Sequence, residues 1–225
     1  MSRQRRKTQE EMNKLPEFPM IVLATRNKHK LAELRRLLGI PTELLRSAVE
    51  YEGAPDPEET GTTFEENALI KARAISWFTG EWALADDSGL EVDALDGAPG
   101  VISARYAGNH GDDAANNRLL LNNLAAVPEE PRTAHFSCAI ALVAPDGAEY
   151  IARGECSGTI LYEERGSNGF GYDPLFLPDG HDKTFAELST EVKCGFSHRA
   201  AAAIAMRQIM ENIFAHSASA AINPK

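Results

Sequence analysis

Trp82-Ala83-Leu84-Ala85-Asp86-Asp87-Ser88-Gly89-Leu90-Glu91-Val92 is the stretch from which the rest of the chain is read. A largely apolar run ends in two adjacent carboxylates, and a Ser-Gly pair follows as a turn signal. The pattern predicts a short buried strand that leaves a sheet at Asp86 and Asp87. An ionised carboxylate is costly to desolvate unless a cation or hydrogen-bond donors compensate it. In α/β sheets, ligands bind beyond the carboxyl ends of the strands, so the paired acids mark a candidate site. A solvated loop with two surface acids explains the same residues, and only the rest of the chain separates the two readings.

The chain has 225 residues, of which 43% are hydrophobic and 25% charged, which suits one large domain or two lobes sharing a sheet. No apolar run approaches the length of a membrane-spanning helix. The basic start, Arg3-Gln4-Arg5-Arg6-Lys7, is followed by Glu10-Glu11 and not by an apolar segment, which argues against a secretory signal. Residues 1–18 are expected to form a mobile extension, 19–214 a single two-lobed domain and 215–225 a frayed tail. Cys138, Cys156 and Cys194 are widely spaced, so neither a zinc pair nor a disulfide framework is indicated and a reduced, cytoplasmic setting fits. A formal net charge of −10 argues against general binding to nucleic-acid backbones, though not against a small polyphosphate met by a local basic pocket and a cation.

Met20-Ile21-Val22-Leu23-Ala24 reads as a first buried strand, followed by Thr25-Arg26-Asn27-Lys28-His29-Lys30 and a helix carrying Leu31, Leu34, Leu37 and Leu38. Asn27 is its expected N-cap, with Gly39 and Pro41 stopping it. Free N–H groups at that helix start, with Lys28 and Lys30, would make an anion site; a solvated basic helix end has the same spacing. No GxxxxGK[ST] is present, so this is not a P-loop. Glu43 to Ser47 is a candidate second strand, and the loop from Glu52 to Gly61 places Glu58 and Glu59 before a helix capped by Thr63 with Glu66. Asn67 and Lys71 lie together on one face of that helix.

Asp112 caps the next expected helix. Thr133 to Val143 and Ala148 to Thr159 form a hairpin about Pro145-Asp146-Gly147. Gly166 to Pro174 is a glycine-rich loop suited to close approach of a ligand, although its glycine order is not that of a dinucleotide fold. Ser197 should cap the last long helix, whose first turn holds His198 and Arg199. Cationic groups there oppose the helix dipole, which suggests that they serve an anion or carbonyl oxygens.

Six motifs now stand in order: Thr25 to Lys30; Glu58-Glu59-Thr60-Gly61; Ala85 to Leu90; Gly169-Phe170-Gly171-Tyr172-Asp173-Pro174; Lys193; and Ser197-His198-Arg199. Together they resemble the inosine/xanthosine triphosphate pyrophosphatase family over Met20 to Phe214. The resemblance implies an α/β fold with a long curved mixed sheet flanked by helices, two lobes with the active-site cleft between them, and a homodimer. It implies Mg²⁺-dependent hydrolysis of ITP, dITP and XTP to the monophosphate and pyrophosphate. Thr25, Arg26, Asn27, Lys28, His29 and Lys30 would hold the phosphates. Asp87 would be the catalytic carboxylate and, with Glu58, a metal ligand, with Ser88 touching substrate. Phe170 would stack on the base, Gly171, Tyr172 and Asp173 line the nucleoside pocket, Lys193 contact substrate, and His198 with Arg199 read the 6-keto edge.

The pattern leaves the roles of Asp86 and Asp87 unapportioned, and no motif explains how GTP would be rejected. Arg26 stands where Gly or Asn is usual, and Cys194-Gly195-Phe196 replaces commoner residues after Lys193. A Maf-type pyrophosphatase for pyrimidine or modified nucleotides, and a nucleotide-binding regulator without turnover, are the alternatives.

Overall fold

The computed structural model describes residues 18–127 and 131–220; most of the expected N-terminal extension and the last five residues of the tail lie outside them. Strands β1 (Ile21–Leu23), β2 (Leu45–Ser47), β3 (Trp82–Val92), β4 (Thr133–Val143), β5 (Glu149–Ile160) and β6 (Phe176–Pro178) make one six-stranded sheet in the order β2-β1-β3-β4-β5-β6. β1 runs parallel to β2 and β3, whereas β3 to β6 are antiparallel neighbours, so the sheet is mixed as expected. Around it lie helices α1 (Lys28–Leu37), α2 (Phe64–Thr79), α3 (Asp113–Ala125), the single turn α4 (Thr190–Lys193) and α5 (His198–Ala220).

One expectation is overturned. Ser88-Gly89 does not turn the chain: β3 continues to Val92, with β4 paired to it from Ala83↔Val143 to Val92↔Ala134. Gly89 serves packing here. A Cβ on it would lie 2.5 Å from the Gly100 carbonyl oxygen and from Ser103 Oγ, in the 3-10 turn Gly100–Arg105 that crosses the strand. The two aspartates therefore sit in mid-strand. They still border an opening, because β1 follows β3 only as far as Leu23↔Leu84 and then departs into the Thr25–Lys30 turn.

Alternation along β3 assigns its neighbours. Leu84 points into a core with Leu34 of α1 and Ala202, Ala203 and Met206 of α5. Ala83 and Ala85 point the other way, against Ala68, Ala72 and Ile75 of α2. Farther along, Leu90 and Val92 join a third cluster with Leu120 of α3, Phe136, Phe176 and Phe185. The three clusters lie along the same long strands. Phe18 packs edge-on against Phe214 in the first cluster, and α5 runs on past Phe214 to Ala220.

Capping follows the sequence closely. Asn27 accepts from the His29 and Lys30 amides, Asp112 from Ala115, and Ser197 Oγ from Ala200. At α2 only half of the expected box forms: Thr63 accepts from the Glu66 amide, but the Glu66 carboxylate binds the Thr62 amide at 2.7 Å.

Helix α5 reaches the sheet because β5 carries Gly154 beneath it. A Cβ there would stand 2.2 Å from the Ala202 amide nitrogen and 2.3 Å from the His198 carbonyl oxygen. Gly154→Ala must therefore push the first turns of α5 outward. We expect a loss of about 1–3 kcal/mol in stability by urea unfolding, the range for overpacking a tight contact.

Candidate active site

Where β1 ends, the chain must turn before α1, and the turn is held by its own side chains. The Asn27 amide donates to Thr25 Oγ1 at 3.2 Å, and Asn27 Oδ1 accepts from His29 at 2.9 Å and Lys30 at 3.2 Å. The start of α1 so faces a cavity of about 800 Å³, large enough for a nucleotide-sized ligand. Thr25, Arg26, Asn27, His29 and Lys30 line one side; Glu58, Asp87 and Ser88 line the floor; Phe170, Gly171, Tyr172, Asp173, Lys193, His198 and Arg199 line the other side. Lys28 is the exception: it is exposed and outside the cavity, because two residues along a helix turn a side chain through about 200° from Lys30. Its expected place among the phosphate-holding residues is not supported by its position.

Adjacent residues of a strand face opposite sides, and this separates the two aspartates. Asp86 faces α1 and α5, where its Oδ2 accepts from Arg199 Nε at 3.0 Å and lies 3.3 Å from Lys30 Nζ. Burial pushes its carboxyl up, but Lys30, Arg199 and Lys71 together outweigh burial and hold it well below the usual carboxylate range. Asp86 is thus a committed anion behind the cavity wall. Asp87 faces α2. Its Oδ2 accepts from Asn67 at 3.1 Å and its Oδ1 from Lys71 at 3.3 Å.

Lys71 is shared unequally. It donates to Glu59 Oε1 at 2.6 Å, so Glu59, although burial raises it, falls below its ordinary value through Lys71. Asp87 keeps the longer bond; burial is its largest influence, Glu59 adds to it, and the lysines do not cancel them, so its proton affinity is raised.

The third relevant carboxylate is differently placed. Glu58 is exposed to the cavity and its side chain has no partner among the described residues. Its loop is pinned by Arg26, which donates to the Ala54 carbonyl at 3.0 Å and pairs with Asp56 at 3.1 Å. Arg26 therefore serves the loop that presents Glu58. Among the described residues no three His, Cys, Asp or Glu side chains converge closely enough to hold an ion by themselves. Mg²⁺ suits such a place, because it is commonly held by one or two carboxylates, waters and substrate phosphates. An uncommitted Glu58 and a partly committed Asp87 in one cavity fit that ligand set.

At the far end, Arg199 is 1% exposed and is fixed by three acceptors: Asp86, Glu33 Oε2 at 2.5 Å, and Ser88 Oγ at 2.7 Å. Lys193 donates to Asp173 Oδ2 at 2.5 Å and lies 3.7 Å from Glu33 Oε1. Glu33 is thus the joint between two cations that the sequence suggested separately. His198 stacks on Phe136 at 4.7 Å, and burial first, then Arg199 and Lys193, lower its pKa well below the ordinary value and keep it neutral. Its Nδ1 is buried without a hydrogen-bond partner among the described residues. Tyr172 is mainly structural, its hydroxyl donating to the Ser103 carbonyl at 2.9 Å.

The sequence places Glu59 beside Glu58 in the loop that joins the aspartates, but gives no site role to Glu33, Asn67 or Lys71. The spacing of Asn67 and Lys71 was a signal for two of them, since both point from α2 to Asp87.

The Ham1 family model matches residues 21–209, nearly all of the described chain. The chain belongs to the Ham1 family. A relative from Leifsonia xyli, named dITP/XTP pyrophosphatase, is 53% identical over 84% of this chain and 94% of its own length. One of the same name from Geobacter sulfurreducens is 54% identical, covering 80% and 90%. Among solved structures, the HAM1 protein of Coxiella burnetii matches with a TM-score of 0.78 at 44% identity, covering 85% of this chain and 98% of that one. The nucleoside-triphosphatase / dITP/XTP pyrophosphatase of Mycobacterium abscessus matches at 0.68 and 49%, covering 83% and 97%.

The two aspartates should respond differently to the same change. Asp86→Asn leaves Arg199 and Lys30 under-compensated in a buried setting, and should cost about 3–5 kcal/mol in urea unfolding. Asp87→Asn should cost far less, because Lys71 retains Glu59.

Proposed function

We propose that the chain hydrolyses deaminated purine nucleoside triphosphates (ITP, dITP and XTP) to the monophosphate and pyrophosphate. The observation that carries this reading is the meeting, in one cavity, of Asp87 with raised proton affinity, the uncommitted Glu58, and the capped start of α1 with Lys30. Relatives about half identical over nearly their full length bear the name of that activity.

In this reading the triphosphate lies along the α1 start, where Lys30 offsets its charge. Asp87 accepts the proton of a water that attacks the α-phosphorus, and Lys71 and Asn67 hold the carboxylate in place. Glu58 and Asp87 are the residues that would hold Mg²⁺, which when bound neutralises phosphate charge and aids departure of pyrophosphate.

The base would lie by Phe170. A guanidinium carries five N–H donors, and Arg199 uses three on Asp86, Glu33 and Ser88, leaving two. These meet a 6-keto oxygen well and a 6-amino group poorly, and the unpartnered buried nitrogen of His198 does the same in the tautomer that carries its proton there. A site built this way discriminates strongly, since the wrong base leaves buried polar groups unpaired.

We take the working unit to be a homodimer. Trp77 of α2, 89% exposed, is apolar surface of the kind a second copy covers.

The test is a panel of ITP, dITP, XTP, ATP, GTP and UTP with Mg²⁺, resolving nucleotide, phosphate and pyrophosphate. IMP and pyrophosphate from ITP, with far less AMP from ATP, are expected; orthophosphate as the first product overturns the reading. Asp87→Asn should lower kcat by about 10²-fold or more, and chelation with EDTA should abolish turnover until Mg²⁺ is restored.

A further inference from the structure

One contact across the cavity mouth is not used by the reaction as described. The ring of His29, in the first turn of α1, stacks on Phe170 with centroids 5.5 Å apart and an interplanar angle of 27°. The two residues belong to opposite walls of the cavity. Phe170 is a fixed plate. Gly169 and Gly171 on either side have φ of +77° and +63°, and a Cβ on Gly169 would overlap the Asp173 carboxylate. The Phe170 amide donates to Asp173 Oδ2 at 3.1 Å, and the Gly171 amide to Asp113 Oδ2 at 2.7 Å. His29 is a movable plate: its backbone is held by the Asn27 cap, while its residue is exposed.

We infer that His29 is the second aromatic plate of the base site, clamping the purine against Phe170 and not holding the phosphates. This rests on the reading of the cavity as a nucleoside triphosphate site and assigns one residue within it. Stacked bases lie about 3.4 Å apart, so a base between two rings needs them about 7 Å apart. The two rings must part before a base can enter between them, which rotation of the exposed His29 side chain allows without moving either backbone. As they stand, the two rings cover each other's faces. With a base between them, each covers one face of the base. Lys30, one residue on, points instead to Asp86, so the phosphate and base duties divide between neighbouring residues.

The test compares wild type, His29→Ala and His29→Phe with ITP in Mg²⁺, and measures inhibition by inorganic tripolyphosphate, which has no base. Loss of one stacking partner should raise KM for ITP about five- to tenfold in His29→Ala, with a smaller change in kcat. His29→Phe should restore KM to within about twofold, and inhibition by tripolyphosphate should be alike in all three proteins. An unchanged KM in His29→Ala, failure of His29→Phe to rescue, or weakened tripolyphosphate inhibition in the variants overturns the clamp while leaving the activity in place. A wild type that makes no IMP from ITP overturns the underlying reading and the clamp with it.

Discussion

Two carboxylates side by side inside a protein repel each other and lose their hydration, so each needs its own compensation. Here a strand supplies the means. Side chains alternate, Asp86 and Asp87 leave β3 in opposite directions, and each meets cations from a different helical layer. The rest of the site depends on this division. With Asp86 neutralising Arg199 and Lys30 behind the wall, those cations are fixed in position. With Asp87 sharing its lysine with Glu59, a carboxylate remains that still binds protons readily.

The same division explains why cations are so closely accounted for in an acidic chain. Lys193, Arg199 and Lys30 are each anchored to a carboxylate at the cavity's edge. Such pairs are weak evidence for stability, because desolvation offsets much of their attraction. Their value lies in geometry. Glu33 holds Lys193 and Arg199 from a third element, so α1, α4 and α5 are registered against one another at the point where the base would be read.

Much of this was legible in the sequence, because it depends on local pattern. Asn27, Asp112 and Ser197 announce helix starts by chemistry that acts within three residues. The family pattern placed Glu58 and Asp87 together, and they line one cavity. What failed to show was tertiary. Gly89 looked like a turn because its crowding by Gly100 and Ser103 depends on a segment folded back over the strand. Lys28 was included with its neighbours although helical geometry turns it away. Glu33 gave no sign, since Arg199, its partner, lies 166 residues farther along. The unequal roles of Asp86 and Asp87 emerge only once both faces of the sheet are covered.

The unbroken pairing of β3 with β4 has a consequence for motion. Both strands run unbroken from the cluster beside α2 to the cluster beside α3, so hinge bending across them would have to strain a continuous ladder of backbone hydrogen bonds. Large-scale closure is therefore disfavoured relative to adjustments at the rim. The scaffold behaves as a rigid vice, and what yields to admit a base must be a side chain at its rim.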